Sequence, residues 1–74
     1  MTLPKHHHPH DSKWIIEQVA KLPPAYRERA IEAYSDVYEQ VYTNTAIRHQ
    51  KHGEARREAN IRLRKYIERV LASQ

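Results

Sequence analysis

From Asp11 onward the apolar residues recur at the spacing of one helix face, and no stretch alternates with the period of a strand. Trp14, Ile15, Val19 and Leu22 form the first stripe. Asp11 or Ser12 precedes it as a cap whose side-chain oxygen can accept an orphan backbone N–H. Glu17 in the opening turns suits the positive end of the helix dipole. Pro23 disfavours the α conformation in its predecessor, so the pattern predicts a stop near Leu22. Pro24 then suits the first turn of a second helix, where no N–H is needed.

That second helix is predicted from Pro24 to Tyr42. Ala30, Tyr34, Val37 and Val41 share one face, and Ile31, Tyr38 and Tyr42 widen it. Glu28, Glu32, Asp36 and Glu39 make an acidic edge opposite. Tyr34, Tyr38 and Tyr42 stand four apart, a spacing that stacks rings along a helix. Thr43-Asn44-Thr45 reads as a break, since Asn tolerates turn conformations. The third helix follows along Ala55, Ala59, Leu63, Tyr66, Ile67 and Val70, ending near Ala72. Its start is predicted between Thr45 and His49. The alternative is a loop from 43 to 53, because Gly53 inside a helix costs about 1 kcal/mol relative to Ala.

Three amphipathic segments with short connections predict an all-α fold over residues 11–74. The second and third helices pair as an antiparallel hairpin and the short first helix crosses it. Residues 1–10 hold two of the four prolines and four of the six histidines, with little to bury, so a disordered arm is expected there. His6, His7, His8 and His10 can capture a transition metal adventitiously, but no fixed geometry is evident. His49 and His52 lack a convergent third ligand. Neither a metal site nor a cofactor is expected. A chain of 74 residues buries only roughly 60% of its unfolded surface, and the apolar face is broad, so a homodimer or a dedicated partner is expected to cover part of it.

Charge sharpens that expectation. Residues 1–44 carry five Lys/Arg against six Asp/Glu, whereas residues 45–74 carry eight against three. Six of those eight cations are Arg, whose planar fork binds carboxylate or phosphate bidentately. Glu58–Arg62 and Arg64–Glu68 are spaced to pair along the helix. Arg56, Arg57, Lys65 and Arg69 have no acid four residues away, although the acidic edge of the second helix could neutralise part of the third. Ile61 is an apolar point among these cations, as in a protein contact. The reading is therefore a non-enzymatic adaptor that binds a protein partner through Arg56, Arg57, Arg62, Arg64, Lys65 and Arg69, with Tyr38 and Tyr42 as anchors. The alternative is nucleic-acid binding by the same helix, with Asn60 able to contact adenine. Against it stand three interspersed Glu and the lack of a helix-turn-helix spacing.

Catalysis finds no support: there is no Gly-rich phosphate loop, no nucleophile–base pair, and too little chain for a pocket of ordinary size. With no Cys, no apolar run near the ~20 residues of a membrane span, and no apolar secretory stretch in MTLPKHHHPHD, a cytoplasmic protein is expected.

LPPAYRERAIEAYSDVY (Leu22–Tyr38) and ARREANIRLRKYIE (Ala55–Glu68) resemble small helical proteins carried by tailed phages and their satellite elements. The His-rich arm lies outside the resemblance. The likeness implies an adaptor or modulator that binds a phage or host protein, in replication, packaging or regulation, sometimes near DNA. It assigns no functional residue.

Overall fold

A computed structural model describes residues 2–74, and Met1 lies outside the described residues. The element order is a 3-10 turn (Pro9–Asp11), α1 (Ser12–Val19), α2 (Pro24–Asn44), a second 3-10 turn (Arg48–Gln50) and α3 (Lys51–Ala72). No strand occurs among the described residues. Each boundary has a local cause. α1 ends at Val19, one turn short of the expected Leu22, and a turn through Ala20 and Lys21 leads to the prolines. Arg27 closes this junction by donating from Nε to the Leu22 carbonyl (2.9 Å) and from Nη2 to the Ala20 carbonyl (3.2 Å). A guanidinium there both satisfies orphan carbonyls and suits the negative helix end.

α2 outruns its expected end by two residues and stops at Asn44. The Thr45 hydroxyl donates back to the Val41 carbonyl (2.7 Å), and the Lys51 ammonium donates to the Tyr42 carbonyl (3.2 Å). α3 starts at Lys51, later than the predicted window of Thr45 to His49, because Arg48–Gln50 wind as a tighter 3-10 turn. Gly53 is accommodated inside α3 with open space where a Cβ would stand.

α2 and α3 form the antiparallel hairpin: Tyr34 meets Asn60, while Tyr38, further along α2, meets the earlier His52 of α3. α1 packs against both helices. The core joins Ile15, Val19 and Leu22 to Ala30, Tyr34 and Tyr38 of α2 and to Ala55, Ala59, Leu63, Ile67 and Val70 of α3. Trp14, the first residue of the first apolar stripe, is half-buried at the core's margin. The molecule measures 40 × 21 × 15 Å, about two helix layers deep. One side of the hairpin is covered; the other has nothing over it.

The arm, expected to be disordered, makes contacts with both α1 and α2 in the structure. Pro4 is fully buried. The His6 amide donates to Ser35 Oγ on α2 (3.0 Å), and the His7 ring bridges the Pro4 carbonyl (2.7 Å) and Ser12 Oγ (3.0 Å). His8 Nδ1 accepts the His10 amide (3.1 Å) and so caps the first 3-10 turn. Hydrogen bonds from the arm's backbone and from the His7 and His8 rings do here what apolar burial does elsewhere.

Candidate protein-interaction surface

The cations of α3 project in several directions, and the direction decides what each can do. Arg56 turns toward α1. Its Nε and Nη2 donate to the two carboxylate oxygens of Asp11 at 2.8 and 3.0 Å, a bidentate pair across 45 residues of sequence. Asp11 is only 8% exposed. Hydrogen bonding from Arg56, with Asn60 assisting, holds its carboxyl below the usual range although burial opposes this. The same bond holds the Arg56 proton more firmly. The Asp11 side chain therefore makes no capping bond to α1, contrary to its expected role.

Beside this pair a polar seam runs under the arm. The Tyr34 hydroxyl donates to Asn60 Oδ1, and Tyr38 Oη hydrogen-bonds His52 Nδ1 (2.7 Å). Burial pushes both phenols above their ordinary pKa, and the nearby Asp11 carboxylate adds to it. The His8 ring stands 4.6 Å from His10 and 5.6 Å from His52, centroid to centroid. Desolvation, then the positive charge of Arg56, push the His8 pKa down. No buried side-chain polar atom among the described residues lacks a partner. The seam is a closed structural latch. Two residues read as partner contacts belong to it: Arg56, held by Asp11, and Tyr38, only 4% exposed.

The remaining cations face solvent. Arg57, Arg62, Arg64, Lys65 and Arg69 are exposed. Arg62 Nε pairs with Glu58 (2.9 Å), as the spacing predicts. Arg64 does not pair with Glu68; its guanidinium carbon lies 6.0 Å from the centre of the Trp14 ring, in cation–π range. Among the described residues the only other Arg or Lys ion pair is Arg56–Asp11, and His6 Nε2 lies 3.4 Å from Glu39. No pair joins the acidic edge of α2 to α3, so the expected neutralisation across the hairpin is absent. The tyrosine ladder forms as its spacing predicts, with Tyr34–Tyr38 and Tyr38–Tyr42 centroids 6.5 Å apart. Only Tyr42 of these three reaches solvent, 37% exposed, and Lys51 lies over its ring. Ile61 is half-buried.

Among the concavities of the described residues, one lies between α2 and α3 and another beside the arm. The first, a groove of about 190 Å³, is lined by Ala30, Ala33, Tyr34 and Val37 of α2 and Arg62, Leu63, Tyr66 and Arg69 of α3, with no residue of α1 or the arm. A wider hollow of about 650 Å³ lies between the arm and α2, bordered by Lys5, Arg27, Glu28, Glu32 and Asp36. That volume corrects the expectation that so short a chain has no sizeable pocket, since packing the arm against α2 creates it. Its walls are open and mixed in charge. No three His, Asp or Glu among the described residues converge as metal ligands, and no helix among them is long and apolar enough to cross a membrane.

The latch was hard to see in sequence. Asp11 reads locally as a cap and Asn60 as a surface residue. The one available signal was that Tyr34 and Tyr38, on the core row, bring two hydroxyls that need partners once buried. Comparison with protein-family models, curated proteins and solved structures gives no match.

Proposed function

We propose that this protein is a non-enzymatic helical adaptor, which docks on an acidic protein surface through the solvent face of α3. The observation that carries this reading is the contrast within one helix. Arg56 has a carboxylate partner inside the molecule, whereas Arg57, Lys65 and Arg69 are exposed with no ion partner among the described residues. Interfaces favour Arg because its fork meets carboxylates bidentately. Arg64, backed by Trp14, and Arg62 extend the same surface. By the resemblance noted in the sequence, the partner belongs to the replication or packaging apparatus of a phage or its satellite, and the setting is cytoplasmic.

Direct DNA binding is the alternative, and one observation weakens it. Asn60, the residue suited to reading adenine, already accepts the Tyr34 hydroxyl at the edge of the core. The test compares the protein with a doubly reversed variant, Arg57→Glu/Lys65→Glu, as baits in the source cell and against duplex DNA across a salt series. Retention of one defined protein by the native chain and about tenfold less by the variant supports the adaptor. DNA affinity falling steeply on a log–log salt plot, with no protein retained, replaces it with the alternative.

A further inference from the structure

The α2–α3 hairpin has two grooves, and only one is filled. On the covered side α1 packs against the hairpin with Ile15 and Val19 buried, followed by Leu22 in the turn beyond. Those positions fall at i, i+4 and i+7, the spacing by which an amphipathic helix seats in a groove. The opposite groove presents a similar floor. Ala30 and Ala33 let another backbone come close, while Val37, Leu63 and Tyr66 supply apolar walls. At about 190 Å³ it is smaller than the roughly 300–1,000 Å³ of ordinary small-molecule sites, so it suits the side chains of a docking helix better than a free ligand.

Charge selects the occupant. The charged residues lining the groove are Arg62, which also pairs with Glu58, and Arg69, which has no ion partner among the described residues; no acid is among the lining side chains. A second copy paired groove to groove would set these arginines against their own equivalents, on a chain already at net +4. A phosphate backbone would leave the apolar floor unfilled. We infer that the uncovered groove between α2 and α3 receives an acidic amphipathic helix of the partner protein, with aliphatic anchors on the alanine floor and carboxylates against Arg62 and Arg69. The bundle would thereby gain its missing fourth helix. This inference rests on the protein-partner reading above and shares Arg62 and Arg69 with it, but Arg57 and Lys65 do not line the groove, so the two can fail separately.

The probe is a fluorescein-labelled helical peptide of about 16 residues, with Leu at i, i+4, i+7 and i+11 and Glu on both flanks, beside a twin with Lys on the flanks. Both are titrated by anisotropy against the full chain. Ala33→Glu places a carboxylate on the groove at an exposed helix position that tolerates Glu, and Arg69→Glu reverses a lining charge. The expected result is at least about tenfold tighter binding of the Glu peptide than of the Lys twin, lost by about tenfold or more in each variant and retained in Arg57→Glu/Lys65→Glu. Equal binding of the two peptides, no binding of either, or binding indifferent to Ala33→Glu overturns the inference. Loss in Arg57→Glu/Lys65→Glu alone overturns the groove and leaves the adaptor reading standing. Self-association of the chain that Ala33→Glu abolishes would assign the groove to a second copy and overturn it as well.

Discussion

The covered and uncovered sides of the hairpin are built from the same two helices, yet they meet opposite needs. On the covered side, α1 and the arm close over a seam in which each polar group has a partner: Asp11 with Arg56, Tyr34 with Asn60, Tyr38 with His52. On the uncovered side, Val37 and Tyr66 remain half-buried and Arg69 has no ion partner among the described residues. A satisfied surface stabilises the monomer and offers little to another molecule. An unsatisfied one contributes less to the monomer and leaves binding energy to be realised elsewhere.

The largest expected effect tests where stability resides. Ile15→Ala removes a fully buried side chain from the covered side and should cost about 2–5 kcal/mol, enough to unfold much of so small a domain. Val37→Ala on the uncovered side should cost about 1 kcal/mol. Urea midpoints followed by circular dichroism read both, and equal losses would erase the distinction between the sides.

Arg56 and Arg57 sharpen it within two adjacent residues. Arg56→Met leaves the Asp11 carboxylate without its cation and should destabilise by about 1.5–3 kcal/mol. Arg57→Met, on an exposed helix position, should stay within about 0.5 kcal/mol. A neutral Arg56→Met would mean that the latch holds nothing.

The smallest effect concerns acid. The His8 pKa lies below its ordinary 6.5 in the folded state, so the contribution of its neutral form is complete above 6.5 and lost as the pH falls through the lowered value. The charged and titratable groups facing it are Arg56, His10 and His52, with Asp11 as the opposing carboxylate. The Asp11 carboxyl is held below 3.8, so its own contribution persists until much stronger acid. As the pH falls below 6.5 and through the lowered His8 value, the arm should therefore loosen at His8 while the Asp11–Arg56 pair stays closed. Protonated Nδ1 can no longer accept the His10 amide, so that amide resonance should shift and lose exchange protection. The Arg56 Nε–H resonance should not move. The reverse order would place the weak point at the ion pair.

The helices themselves were legible. Pro23 and Pro24 separate α1 from α2, and the i, i+4 ladder from Tyr34 to Tyr42 lies on α2 as its spacing predicts. The start of α3 was less so, because a 3-10 turn at Arg48–Gln50 has no apolar periodicity to mark it. Of the residues read as contacts, Arg57, Arg62, Arg64, Lys65, Arg69 and Tyr42 lie on the exposed surface, Arg56 is half-exposed with its guanidinium held by Asp11, and Tyr38 is buried. Arg56 and Arg57 look alike in composition and in local spacing. Only the approach of Asp11 distinguishes them.

The sequence by itself determined the helical period, the proline boundaries and the basic excess of the second half, since each depends on neighbours within a turn or two. The tertiary structure decided the contacts of the arm, the silent role of Arg56 and the side of the hairpin left open. These depend on groups as far apart as Asp11 and Arg56, and the free energy of burying a charge is set by whatever partner the fold delivers to it.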